Sequence, residues 1–306
     1  MKRVLLAAAL FLAAASAPAQ PRITYDQGSD GKSVVFTLVD KNESGTTTVL
    51  LRFAELSNCI GLGPGVHKYA VCSDNARFLT LRPLDREQHV GFDFAYRTFH
   101  GVLDPKHVDT NFVYRMPCAA GRPVEVGRTV DVLDEYTKGD DDPKTQLGFA
   151  FRLEQGDTVY AMRRGVVRKI RIPERGAEDV RFTTRTPSLE IEQPDGTIAR
   201  YITLDAANLF VGEGDEVLPS TPLALVGTQD GEHYRLSVQI CWAETNPEGT
   251  WEQDYLRFRR YFPRFRTTDG DVVPGARGTY TPLVDEALVA AELTKKEIKR
   301  LSATRK

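Results

Sequence analysis

Five histidines, four cysteines and one acidic run are the residues whose types could do chemistry in this chain of 306 residues. A metal site needs about three or four donors at close spacing. His89, His100 and His107 are scattered and read as surface or core-edge residues. The run DEYTKGDDDPK, 134–144, gathers Asp140, Asp141 and Asp142, which are hard oxygen donors for a cation. It lacks the ligand spacing of an EF-hand loop, so the favoured reading is a solvated acidic loop. Cys59, Cys72, Cys118 and Cys241 show none of the close pairing of a zinc ribbon. In an oxidising compartment they permit two disulfides in three pairings. Cys59 and Cys72 are expected to clip a loop, while Cys118 and Cys241 are either paired or buried singly.

Residues 255–266, YLRFRRYFPRFR, interleave five arginines with five aromatics. That pattern can bind single-stranded nucleic acid. The favoured reading is a strand whose aromatics pack while the arginine stems lie along them. Attraction to an anionic cell-wall polymer is the third reading. The cations of YAMRRGVVRKIRI are read as alternating solvated side chains on a twisted strand pair.

The elements that must position these residues are mostly strands. SVVFTLVD and TTTVLLRFAEL are β-branched runs joined by the polar turn KNESG, and GFDFAYRTF alternates with period two. With NFVYRMP they predict an N-terminal β-sandwich over 20–126, an immunoglobulin-like arrangement being one form of it. A linker over 127–145 leads to a second strand-rich region, 146–280, with Gly turns at EQGD, QPDGT and GEGD. From 281 to 306 a stripe of Val284, Leu288, Ala291, Ile298 and Leu301 predicts a C-terminal helix, supported by a Glu292–Lys296 pair.

The first residues, MKRVLLAAALFLAAASAPAQ, have the three parts of a secretory leader: Lys2 and Arg3, an apolar stretch, and Ala17-Pro18-Ala19. Cleavage after Ala19 predicts a secreted or periplasmic protein, and no other segment is apolar enough to span a bilayer. The chain carries 40 basic and 42 acidic residues. That balance argues against a general polyanion binder, and no nucleic-acid partner is expected.

Four fragments stand in a telling order: QLGFAFRLEQGDTVYAMRRGVV, LEIEQPDGTIARYITL, FVGEGDEVLPSTPLALVGTQDG and YRLSVQICW. In order and spacing they resemble the LytM or lysostaphin-type zinc endopeptidases, which cut peptide crosslinks in bacterial cell walls. The resemblance covers about a hundred residues and implies a lysostaphin-type β domain of the duplicated hybrid motif. The fold expected is therefore mainly β: a sandwich, a LytM-like domain and a C-terminal helix.

The same resemblance marks what is missing. At the positions of the family's three zinc ligands stand Gln146, Ala150 and Ser237, and its two further histidines correspond to Thr203 and Arg235. No zinc, no other cofactor and no hydrolysis are expected. The resemblance implies that the groove outlives the metal, with Arg235 on its floor, Ser237 beside it, and Thr203 and Tyr201 facing in. An arginine there would suit a carboxylate, the group that ends cell-wall peptides. The bland alternative is that Arg235 pairs with an acid of the groove. A displaced metal site of His233 with Asp142 or Asp141 is the remaining alternative.

Three functions follow. The first is a non-catalytic LytM-like protein that binds cell-wall peptide or regulates a cell-wall hydrolase. The second is an active zinc endopeptidase with a rearranged site, and the third is a structural envelope protein with an inert groove.

Overall fold

Alternation is realised cleanly over Val34–Val39, whereas Ile198–Ile202 is buried along its whole length and Tyr96, expected inward with Phe92 and Phe94, is exposed. The computed structural model describes residues 21–40, 45–72, 74–129, 148–173 and 186–304, with side chains described as far as 299. The leader, the acidic run 134–144 and Gln146 lie outside the described residues.

Six strands build the first unit. β1 (Arg22–Gln27), β2 (Val34–Val39) and β5 (Ala76–Leu81) form one antiparallel sheet. β4 (Gly65–Val71), β3 (Thr47–Ser57) and β6 (Gly91–His100) form the other. The inner residues of β2 and β3, Phe36, Leu38, Val49, Leu51 and Phe53, are buried between them. Phe36 meets Phe53 and Phe94 edge-on, an arrangement that aromatic quadrupoles favour.

The second unit is built on a large twisted sheet. Its order is β15 (Glu216–Val217), β11 (Gly165–Arg171), β12 (Ser188–Glu192), β13 (Ile198–Ile202), β17 (Tyr234–Thr245), β9 (Gly148–Leu153), β8 (Val124–Thr129) and β21 (Arg277–Tyr280). β17 is long enough to take two partners along one edge, β9 on its first half and β18 (Leu256–Tyr261) on its second. Its inner face carries Phe149, Phe151, Leu189, Ala199, Tyr201, Leu236 and Val238. Two small sheets cover that face: β10 (Thr158–Tyr160), β16 (Pro222–Val226) and β14 (Leu204–Leu209), and then β20 (Gly270–Val272), β19 (Arg264–Thr267) and β7 (Val113–Tyr114). Phe265 of β19 touches both Phe149 and Phe151, and each fully buried ring contributes about 2 kcal/mol.

The sandwich docks on the outer face of this sheet. Leu50, Phe99 and Leu103 bury against Ile198, Cys241 and Ala243. Gly101 allows the approach, since a Cβ there would stand 2.7 Å from Nη1 of Arg168, and its φ is +121°. Trp251, in the loop between β17 and β18, lies under the guanidinium groups of Arg52 and Arg97 from β3 and β6.

The protein is thus mainly β, as its sequence pattern implies, and several local expectations are corrected. Tyr114, Met116, Cys118, Val124 and Val126, read from sequence with the sandwich, pack in the second core. Arg163 and Arg168, expected in solvent, are 3% and 2% exposed. The cause is buried acid: Arg163 pairs with Asp195 and Glu292, and Arg168 with Glu190. The C-terminal helix is two helices, α1 (Glu286–Ala290) and α2 (Lys295–Thr304). Glu292 falls between them and pairs with Arg163 rather than supporting a helix with Lys296. All four cysteines are free thiols, so no bridge clips 59 to 72. Cys118 and Cys241 sit in different cores. In the run 255–266 the aromatics do pack, with Phe265 buried and Phe262 beneath the guanidinium of Arg128.

Candidate functional site

The half of the outer face not covered by the sandwich is a groove of about 1330 Å³ over β17, β9, β8 and β21. Strand register defines its floor. Ser237 of β17 stands directly opposite Ala150 of β9, which stands opposite Gly127 of β8, which in turn faces Arg277 of β21. Two residues along, Arg235 is opposite Arg152, which is opposite Glu125. Residues directly across adjacent strands have Cβ atoms about 5 Å apart, and the two rows lie about 7 Å from each other. The centre of the floor is deep because Gly127, Ala150 and Ser237 have little or no side chain.

Arginines form the walls. Arg122, Arg128, Arg152, Arg235 and Arg277 all line the groove, together with Glu125, Glu154, Asp230 and Glu232. Glu125 is shared by Arg277 at 2.5 Å and Arg152 at 3.7 Å, and the Arg277 guanidinium holds its carboxyl below the usual range. Arg122 bonds Asp157, which raises its own basicity, and reaches Glu154 at 3.5 Å. Arg128 donates to the Pro274 carbonyl at 3.4 Å and stacks on Phe262.

The residues singled out in the sequence fall in three places. Ala150, Thr203 and Arg235 line the groove, while Ser237 is buried across from Ala150 and is not among the lining residues. Tyr201 does not face in. It is on the core side of β13, where its hydroxyl accepts the backbone N–H of Met162 at 2.8 Å and burial pushes its pKa up. The parity of a strand explains this: Tyr201 is opposite Val238, an inward residue of β17. Thr203, just past the end of β13, has a φ of +73° that turns the chain. Its amide and that of Leu204 both donate to the Pro187 carbonyl, and the Thr203 carbonyl accepts from the Gly227 amide at 2.8 Å. Its hydroxyl accepts a long bond, 3.5 Å, from Gln229.

His233 stands at the groove rim with Asp230, 2.7 Å away. The backbone amides of His233 and Glu232, together with the imidazole, hold the Asp230 carboxyl well below its ordinary range. The pair therefore closes the turn at 228–233, and Asp142 and Asp141, its suggested companions, lie outside the described residues. Among the described residues no three His, Cys, Asp or Glu side chains come together to hold a metal. The site's chemistry runs against a cation. Ala150 has no donor atom, and Arg152 and Arg235 flank the floor with positive charge.

Arg128, Arg152, Arg277 and Gln229 escaped the sequence reading. Arg152 had a signal, since it is two residues from Ala150 on one strand. Arg128 and Arg277 lie outside the four resembling fragments, and only the pairing of β8 with β9 and β21 brings them in.

No family model matches the chain, and no curated protein is significantly similar to it. Solved structures do match. One, described as a LytM glycyl-glycine endopeptidase from Ruminococcus gnavus, is 17% identical over 44% of this chain with a TM-score of 0.28. This chain spans about half, 53%, of that structure's length. Helicobacter pylori Csd3 is 10% identical over 92% of this chain and 84% of its own, with a TM-score of 0.29. A zinc-containing peptidase from Vibrio cholerae is 14% identical over 71% and 81%, with a TM-score of 0.26. Similarity at this level speaks to neither activity nor site, so the functional reading stands on the groove itself. Among the described residues no helix is long and apolar enough to cross a membrane.

Proposed function

We propose that this chain is an exported, non-hydrolytic LytM-like protein that binds cell-wall peptide in the groove over β17, β9, β8 and β21. One juxtaposition supports the reading: Ala150 stands across from Ser237. The fragment order aligns these two positions with zinc ligands of the related peptidases, and here they are neighbours with no metal donor between them. An open groove remains, and a groove that keeps its volume without its metal can still bind. A role in regulating a cell-wall hydrolase would work through the same binding. The leader supports export to the compartment where such peptide is found.

The test uses the purified mature protein, insoluble peptidoglycan sacculi and added zinc. The protein should sediment with sacculi saturably and release no soluble fragments. Release of fragments, with roughly one tightly held zinc per chain, would make it an active peptidase. Failure to sediment would leave the groove inert, as a structural envelope protein requires.

A further inference from the structure

We infer that the outward face of α2 is a peripheral membrane-docking surface, in which Lys295, Lys296 and Lys299 meet the anionic headgroups of a lipid bilayer. This surface is separate from the groove, since no groove-lining residue comes from 286–299.

The sorting of charge on the C-terminal segment carries it. In sequence, residues 295–306 hold six Lys or Arg and one acid, in a chain whose overall charge is close to neutral. Glu292 and Glu297, the acids nearest these cations, are drawn toward the body of the protein. Glu292 grips Arg163 with both oxygens, at 2.6 and 3.0 Å. Glu297 meets Arg164 at 3.0 Å and accepts from the Thr294 amide and hydroxyl. The lysines go the other way. Lys295, Lys296 and Lys299 are exposed, and among the described residues none of them enters an ion pair. At 3.6 residues per turn the three occupy an arc of about 100°, with Glu297 roughly 150° from its centre. Ile298 borders that arc and is 40% exposed.

The chemistry of this face selects a bilayer. Cations clustered on an amphipathic helix are attracted by the negative surface potential of an anionic membrane. Lysine stems lie along the lipid while the ammonium groups reach the headgroups. An exposed apolar residue beside the cations gains from shallow contact with the boundary between headgroups and acyl chains, which a soluble polyanion does not offer. Because Arg163 and Arg164 hold the inner side of the segment, the lysines are presented without rearrangement. Each lysine at such a surface is expected to multiply partitioning about fivefold, and the three together roughly a hundredfold.

The experiment is co-sedimentation of the purified mature protein with vesicles of phosphatidylcholine mixed with phosphatidylglycerol, and with vesicles of phosphatidylcholine alone. The protein should bind the mixed vesicles, leave the neutral ones, and come off the mixed ones as salt is raised. Replacing all three lysines together, Lys295→Gln, Lys296→Gln and Lys299→Gln, should lower partitioning roughly a hundredfold while the thermal midpoint stays unchanged. Ile298→Ala should lower it severalfold, and Lys106→Gln, at an exposed lysine of the other unit, should leave it as it was. Equal binding to both kinds of vesicle, or undiminished binding by the triple variant, would overturn the inference. Capture by soluble polyphosphate without binding to mixed vesicles would assign the face to an anionic polymer and overturn it as well.

Discussion

The outer face of the large sheet has two halves that use arginine in opposite ways. Under the sandwich, Arg168, Glu190, Arg200 and Gln239 form a polar row across four strands, each at most 4% exposed. Both arginines reach Glu190, at 3.5 and 3.3 Å, and Arg200 also donates to Gln239. Charge taken out of water must be matched by charge and hydrogen bonds, so these residues are fixed in place. On the open half, Arg152 and Arg277 keep more than 70% of their side chains in solvent. Pairs there are screened and exchangeable. One face thus carries a rigid joint between units and a surface that can trade partners.

The comparison can be broken most severely from the covered side. Glu190→Gln removes the carboxylate shared by two buried arginines and should cost about 3–5 kcal/mol in urea unfolding. A loss under 1 kcal/mol would mean the row is wetter than its burial implies. Gly101→Ala strikes the joint itself, because the new methyl group meets Arg168 at a backbone φ that disfavours it. The expected cost is about 2 kcal/mol, with earlier separation of the two units in limited proteolysis.

On the open side the same kind of change should be nearly silent for stability. Arg277→Ala is expected to leave the thermal midpoint unchanged and to weaken sacculus binding about twofold. A clear fall in the midpoint would show that the open half, too, is structural.

The smallest effect sharpens what exposed charge does in this protein. Glu297 in α2 has its pKa lowered to about 2, first by the Thr294 hydroxyl, then by the Thr294 amide and Arg164. Its folded value lies below the ordinary value of 4.5, so its stabilising contribution is complete above that pH and is lost as pH falls toward about 2. Thr294→Ala should move the Glu297 carboxyl back up toward 4.5 in an NMR titration. No movement would assign the shift to the Thr294 amide and Arg164, which the substitution leaves in place.

How much of this was readable beforehand differs between strand and site. Alternation in GFDFAYRTF and β-branched runs such as SVVFTLVD announced strands, because a half-buried pleat demands period two. The positions of Ala150, Ser237, Thr203 and Arg235 came from fragment order. The side on which Tyr201 would fall did not, since it depends on pairing β13 with a strand more than thirty residues away. Arg163 read as solvated because its partners, Asp195 and Glu292, are far along the chain. The opposition of Arg152 and Arg235 was hidden for the same reason.

The sequence by itself determined which residues share a strand face, where turns must fall and that no donor stands at Ala150. Those are local properties, set by backbone geometry and side-chain type. Only the tertiary structure decided which half of the outer face the sandwich covers, which arginines lose their water and which are brought against each other over the groove. Burial and register are made by contacts between residues distant in sequence, and the energy of a charge depends on those contacts more than on its neighbours in the chain.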